Sequence, residues 1–509
     1  MEQSPSPGGS APPHMSSAEF RRRAHEAVDL IADHMDEIDR LPVQSTVAPG
    51  DLLGALPESA PSEPGAADPD AWAEAIRRDM RDIIIPGLTH WQSPRFFGYF
   101  PCNASGPATI GEILCAGLNV NGFLWATSPA ITELEIRMLD WMGEAIGLPP
   151  DFLSDSESGG GVIQGTASES TLVALLAGRR RALARGADAS KLTMYASAEA
   201  HSSVVKAAMV AGMAQGPEDF GQMRLIPVDD SFAMDAGARR AAIEADRIQG
   251  LTPAYVCATV GTTGSTAIDP VRLIADVLDE DARRHPHSAR PWLHVDAAYA
   301  GAACVAAEFR WLLDGVERAD SLCFNPHKWL LTTFDCDCFW TQDREALTGA
   351  LSVKPEYLRN AQSEAGAVID YRDWQIPLGR RFRALKLWLV MRWYGIEGLR
   401  AHVREGVRLG ALFEELVRAD ERFEIMAPRP LGLVCFRLRA QSGESPEECD
   451  DRNRRLLGAI NTTGRVLLTH TTLPRGDRRD YTLRMAIGGT LTQERHVREA
   501  WEVIRELSE

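Results

Sequence analysis

The chain has 509 residues, 45% of them hydrophobic and 25% charged, with a formal net charge of −17. That length exceeds one compact core, so two or three structural units are expected. The acidic balance argues against nucleic acid or an anionic membrane as a main partner, because both select basic surface.

The nine cysteines are scattered and odd in number, and no CxxC pair occurs. A disulfide framework or a zinc site is therefore not expected, and reduced thiols in a reducing cytoplasm are. The N-terminal MEQSPSPGGSAPPH lacks an apolar h-region, and no run of about 18 apolar residues occurs, so neither a secretory signal nor a membrane span is expected. The sequons at Asn103 and Asn461 read as chance matches without secretion.

In chain order, residues 1–17 are rich in Pro, Gly and Ser and read as a disordered tail. From Ser17, with Phe20, Val28, Ile31 and Met35 at helical spacing, an amphipathic helix is predicted. Residues 43–68 read as a loop, and a second helix runs from near Asp70 to Ile85, ended by Pro86-Gly87. Two short helices cannot bury their own apolar faces, so they must pack on the rest of the chain or on a partner subunit. Strands are predicted at Lys191–Ala196, Arg224–Pro227, Ala254–Val260, Pro291–Ala297 and Ser321–Phe324, with helical patterns between them. That alternation indicates an α/β unit with a largely parallel sheet. A helix over Phe382–Tyr394 leads into a smaller α+β unit, with strands at Leu431–Leu438, Arg465–Thr472 and Tyr481–Ile487 and a final helix Glu494–Leu507.

Four segments carry candidate chemistry. In Ser321–Leu330 (SLCFNPHKWL) a strand delivers Asn325, His327 and Lys328 to its C-terminal end, where open α/β sheets bind ligands. A lysine flanked by Trp329 and Leu330 is partly desolvated, which lowers its pKa and leaves a neutral amine able to attack an aldehyde; alone, it reads equally as a surface lysine. In Trp292–Tyr299 (WLHVDAAY) an apolar strand ends in Asp296. A carboxylate there is costly unless paired, and the protonated ring nitrogen of pyridoxal 5′-phosphate (PLP) is one such partner, a helix cap being the alternative. Residues 159–168 (GGGVIQGTAS) suit a phosphate at a helix N-terminus, though a Gly-rich linker reads the same. His201 opens a helix and could stack on an aromatic cofactor, or be structural.

Together these segments resemble the group II PLP-dependent decarboxylases, most closely the aromatic-L-amino-acid decarboxylases. The resemblance runs from about Ser17 to the C-terminus through EFRRR, THWQSP, GVIQGTASES, HVDAAYAG, FNPHKWLL, DYRDWQIPLGRRFR and LGLVCFRL. It implies a type I PLP fold, aspartate aminotransferase-like, with a mostly parallel central sheet. It divides the chain into an N-terminal dimer-wrapping segment (18–105), a large PLP-binding domain (106–385) and a small C-terminal α+β domain (386–509). It also implies a homodimer with its active site at the subunit interface.

The resemblance makes Lys328 the Schiff-base lysine, Asp296 the pyridinium partner and His201 the residue stacked on the ring. It assigns the phosphate to Ala167, Ser168 and Asn325, with Thr263 near the cofactor and His327 beside phosphate and substrate. A loop at 351–365 would cover the site, and its Tyr357 would reprotonate the intermediate, where related aldehyde synthases carry phenylalanine. The implied reaction is decarboxylation of an aromatic L-amino acid to its arylalkylamine through external aldimine and quinonoid intermediates. The implied pocket is Trp91, Tyr99, Phe100, Pro101, Gly379 and, from the other subunit, Phe123. Gly379 stands where some relatives carry serine, and relatives with glycine tend to accept indoles, which favours tryptophan over Dopa, tyrosine or phenylalanine. Asn121 and Cys102 depart from the family pattern. The competing readings are a group II decarboxylase for a non-aromatic amino acid, an aromatic aldehyde synthase, a transaminase and a non-enzymatic scaffold.

Overall fold

A computed structural model describes residues 14–62, 65–353 and 368–508. The helices are α1 (Ser17–Glu37), α2 (Asp51–Ala55), α3 (Pro69–Asp79), α4 (Gly106–Leu118), α5 (Pro129–Ile146), α6 (Ala167–Ala184), α7 (Ser202–Val210), α8 (Ala236–Ile248), α9 (Val271–Arg284), α10 (Pro326–Trp329), α11 (Arg344–Leu351), α12 (Arg383–Arg418), α13 (Pro446–Thr462) and α14 (Glu494–Leu507). The strands of the large sheet are β1 (Gly160–Gln164), β2 (Leu192–Ser197), β3 (Met223–Ile226), β4 (Thr252–Thr259), β5 (Trp292–Asp296), β6 (Ser321–Phe324) and β7 (Asp337–Thr341).

The large sheet has the order β1-β7-β6-β5-β4-β2-β3. β7 runs antiparallel to both neighbours, and the strands from β6 to β3 are parallel. Its central strands are buried on both faces, so they read as continuous apolar runs rather than alternating ones. One face packs on α6 and α7 through Val162, Met194, Cys257, Trp292, Cys323 and Phe339. The other packs through Ile163, Val256, Val295, Phe324 and Trp340. The parallel strands all end on one edge, and that edge frames the site.

A smaller antiparallel sheet, β10-β11-β9-β8, is built from β8 (Phe423–Ile425), β9 (Leu433–Leu438), β10 (Thr469–Arg475) and β11 (Arg478–Ala486). With α13 and α14 it encloses its own core around Phe413, Phe436 and Trp501. α12 joins the two cores. Gly395, at φ +62° and ψ 173°, breaks it one residue after the predicted helix ends.

The five expected large-sheet strands form with ends within two residues of their predicted limits. β1, β7 and β8 were not foreseen: residues 160–164 read as a Gly-rich loop but form a buried strand. α1 forms as expected, capped by Ser16 rather than Ser17. The loop at 43–68 contains α2, and α3 ends in a wider turn at Met80–Ile84 before Pro86-Gly87. No side chain of α1 is buried within the chain. Among the described residues, no helix is long and apolar enough to cross a membrane.

Candidate active site

Five parallel segments converge at one sheet edge. β1 leads through Gly165 into α6, β2 leads to Glu199–His201, β4 leads to Gly261–Thr263, β5 ends at Asp296, and β6 delivers Asn325 to Lys328. Between them lies a cavity of about 200 Å³, lined by Phe100, Ala167, Ser168, His201, Thr263, Asp296, Asn325, His327 and Lys328 and also by Thr166, Thr259, Gly261, Ala298, Tyr299 and Phe334. Every cofactor-site residue expected from the sequence, Tyr357 apart, borders this one cavity.

Lys328 sits in the single turn of α10, with Nζ 5.5 Å from the Phe100 ring centre. Among the described residues no carboxylate forms an ion pair with it, and burial pushes its amine below the usual lysine value. Phe100 stacks on Tyr299 at 3.9 Å, and Tyr299 on Trp329 at 4.8 Å, a rigid aromatic column beside the amine.

Asp296 is 3% exposed, and its Oδ1 accepts the Ala298 N–H at 3.1 Å. Among the described residues no ion pair is made to it, and one backbone bond does not offset the desolvation of a carboxylate, so Asp296 is suited to a cationic partner in the cavity. His201 is the N-cap of α7: its Nδ1 accepts the Ser203 N–H at 3.2 Å and lies 2.8 Å from Ser203 Oγ. These contacts fix the ring plane, and burial lowers its pKa, so the imidazole is neutral. His327 is pushed down to about 3 by burial; its Nδ1 lies 2.7 Å from the Cys336 carbonyl, and its ring meets Phe334 edge-on at 4.8 Å.

α6 begins with Thr166 as N-cap but has no side-chain cap bond, so the first amides of an 18-residue helix, at Ala167 and Ser168, are open to an anion. Asn325 Oδ1 is enclosed without a partner. Gly261 holds φ +91°, and a Cβ there would meet Ala300 Cβ at 2.7 Å, so only glycine lets this loop wall the cavity. A desolvated amine, an underpaired carboxylate, a flat imidazole and a helix N-terminus fit an aldehyde, a pyridinium nitrogen, an aromatic ring and a phosphate. The donor set fits PLP.

The expected substrate pocket is only partly assembled within one chain. Phe100 lines the cavity, followed by Pro101, and Trp91 stacks on Tyr99 at 5.5 Å. Asn121 and Gly379 form a separate group, where Asn121 Oδ1 accepts the Arg380 N–H at 2.9 Å and Gly379 has Asn121 Nδ2 3.7 Å from its Cβ position, and nearby in sequence the Phe123 carbonyl accepts the Arg372 N–H at 3.1 Å. That group does not border the cavity. Tyr357 lies outside the described residues.

Thr259 was missed although it pairs with Asp296 across β4 and β5, a position the sheet-edge rule could have supplied. Phe334 carries no local signal, because it reaches the cavity only through its packing on His327.

The profile of the pyridoxal-dependent decarboxylase conserved domain matches residues 49–439. Phenylacetaldehyde synthase of Arabidopsis thaliana is 46% identical over 496 residues, 97% of this chain and 96% of that protein. A tryptophan decarboxylase of Camptotheca acuminata is 46% identical over 490 residues, 96% of this chain and 94% of that protein. The crystal structure of Oryza sativa TDC with PLP and tryptamine superposes with a TM-score of 0.90 at 42% identity, covering 98% of this chain and 99% of that one. The cavity, the sheet that frames it and these likenesses agree: the chain belongs to the pyridoxal-dependent decarboxylase family, enzymes that use PLP.

Proposed function

We propose that this enzyme decarboxylates an aromatic L-amino acid, with tryptophan favoured, to the arylalkylamine and CO2. The observation that carries the reading is that Lys328 and Asp296 border one cavity, in a chain matched over 96% of its length by a tryptophan decarboxylase. Bound PLP supplies an electron sink for the pair left when the Cα–carboxylate bond breaks. Lys328 is the amine that would hold the cofactor. Asp296 would hold a proton at the ring nitrogen and so maintain the sink. His201 would face the ring, and Ala167, Ser168 and Asn325 would hold the phosphate, with Thr263 and His327 beside them. Phe100, backed by Tyr299 and Trp329, excludes water from the reacting carbon. Tyr357 delivers the proton to Cα.

Trp91, Tyr99, Phe100, Pro101 and Gly379 form the side-chain pocket together with Phe123 of a second copy. The homodimer is supported by α1, which has no buried side chain and exposes Phe20, Val28 and Met35, and by exposed Ile110, Leu114 and Leu118 on α4. The three-part division at residues 105 and 385, and a cytoplasmic location for a chain of nine unpaired thiols, belong to the same reading.

A second reading, aldehyde synthesis, is favoured by the 46% identity to a phenylacetaldehyde synthase. Tyr357 argues against it, since the related synthases carry phenylalanine at that position. A product-resolved assay with tryptophan, Dopa, tyrosine, phenylalanine and glutamate separates these readings. Amine and CO2 from an aromatic substrate are expected. Aldehyde with peroxide, or turnover of glutamate alone, overturns the proposal.

A further inference from the structure

On the face of the large sheet that packs on α6, three polar side chains lie side by side on neighbouring strands. Gln164 of β1 pairs with Asp337 of β7. Phe324 of β6 pairs with Cys338, so Asn325, in extended backbone one residue on, stands opposite Asp337. All three side chains are buried. Gln164 Oε1, Asp337 Oδ1 and Asn325 Oδ1 are each enclosed without a hydrogen-bond partner. The other Asp337 oxygen accepts from the Ser170 hydroxyl of α6, and Gln164 Nε2 donates to the Trp374 carbonyl at 2.8 Å.

A row of three enclosed acceptors without a donor is unstable, since each buried polar atom left without a hydrogen bond is costly. Gln164 Nε2 is committed to the Trp374 carbonyl and the Asn325 amide oxygen is turned into the row, so a proton on the Asp337 carboxyl gives the row a donor for a neighbouring acceptor. We infer that Asp337 is a neutral carboxylic acid that donates to Asn325 Oδ1, and so turns the Asn325 amide N–H toward the cofactor phosphate. Asp337 is then a positioning residue for cofactor binding, buried behind the residue it orients. The inference rests on the placement of the phosphate at Ala167, Ser168 and Asn325.

The surroundings are consistent with the neutral form. Burial raises the Asp337 carboxyl well above the usual carboxylate range, with the Ser170 hydrogen bond opposing and the Asp296 charge reinforcing. The groups that face it are Asp296 from β5, Cys323 from β6, Lys328 from α10, Cys338 on its own strand, Cys336 just before that strand, Ser170 from α6 and Gln164 from β1. Lys328 is the single cation in that set and makes no ion pair with Asp337. An ionised Asp337 would leave Asn325 Oδ1 facing a negative charge, favour the flipped amide and set a second anion behind the phosphate.

The test uses the purified chain stripped of cofactor and titrated with pyridoxamine 5′-phosphate, which forms no bond to Lys328, and with unphosphorylated pyridoxamine as reference. Asp337→Asn retains a donor to Asn325 and an acceptor for Ser170; Asp337→Ala retains neither. The expected result is roughly five- to tenfold weaker pyridoxamine 5′-phosphate binding in Asp337→Ala, the scale of one neutral hydrogen bond. Asp337→Asn should stay within about twofold of the parent, and pyridoxamine binding should not change in either. Above neutral pH the parent should lose affinity for the phosphorylated ligand while Asp337→Asn does not. The parent's infrared spectrum should show a carboxylic acid C=O band that Asp337→Asn lacks.

Parent-like affinity in Asp337→Ala, affinity in Asp337→Asn as weak as in Asp337→Ala, or no acid band would overturn the inference. If Asp337→Ala does not fold, the pH series and the infrared band on Asp337→Asn decide alone. Asn325→Ala isolates the premise, because the helix amides at Ala167 and Ser168 survive a side-chain change. If it does not weaken binding of the phosphorylated ligand, the phosphate placement fails and the inference with it. If it does and Asp337→Ala does not, the inference alone fails.

Discussion

Replacing Arg380 with methionine should destabilise the fold more than any surface substitution. Arg380 and Glu135 are both wholly buried, with Arg380 Nη2 2.5 Å from Glu135 Oε1 and Nη1 2.8 Å from Gln375 Oε1. The guanidinium lies 4.7 Å from the Tyr371 ring centre. Without it, Glu135 keeps only the Ile163 N–H, at 2.7 Å, to stabilise a buried charge. Removing one partner of a buried pair costs about 3–5 kcal/mol, a large part of the ~5–15 kcal/mol that holds a typical domain. Ile163 is in β1, the strand that aims α6 at the cavity, so the damage should reach the cofactor. Urea unfolding of the cofactor-loaded protein measures the loss. Glu135→Gln combined with Arg380→Met removes the orphaned charge and should recover most of it. An Arg380→Met protein within about 1 kcal/mol of the parent, or a double variant no better than the single one, would refute the reasoning.

His294 should contribute to acid lability. It is fully buried, bonded through Nδ1 to Ser321 Oγ at 2.9 Å, and burial lowers its pKa to about 4. The unfolded chain takes a proton near 6.5 that the folded chain refuses, so stability is lost as pH falls from about 6.5 towards 4, up to about 3 kcal/mol. His294→Gln should lower the proton uptake on unfolding in that window by as much as one, and an unchanged pH slope would count against the assignment. Gly379→Ser has room, with its nearest neighbour 3.7 Å away, and should shift kcat/KM from tryptophan towards tyrosine by roughly tenfold. No change in that ratio removes Gly379 from the pocket. Tyr357→Phe should divert product from amine to aldehyde, and an unchanged amine yield contradicts the protonating role.

Much of the cofactor site was legible because it obeys a simple rule. Asp296 and Lys328 lie at the ends of adjacent parallel strands, β5 and β6, and apolar strand runs are easy to recognise. β1 was not legible. Its glycines read as a loop, whereas a Cβ at Gly161 would come within 2.9 Å of the Phe339 carbonyl, so they are there for close strand approach. β7 was hidden by Asp337, a polar residue in a strand buried on both sides, whose tolerance depends on Ser170. The aromatic pocket was read by resemblance alone, and its members fall into two groups within one chain.

The central claim is that Lys328 holds the cofactor. The chain has five lysines, at positions 191, 206, 328, 354 and 386. Borohydride reduction of the PLP-loaded protein followed by peptide mapping should place the pyridoxyl group on Lys328 alone, and Lys328→Ala should abolish the label. A pyridoxyl group on another lysine, or one that survives in Lys328→Ala, would contradict the account.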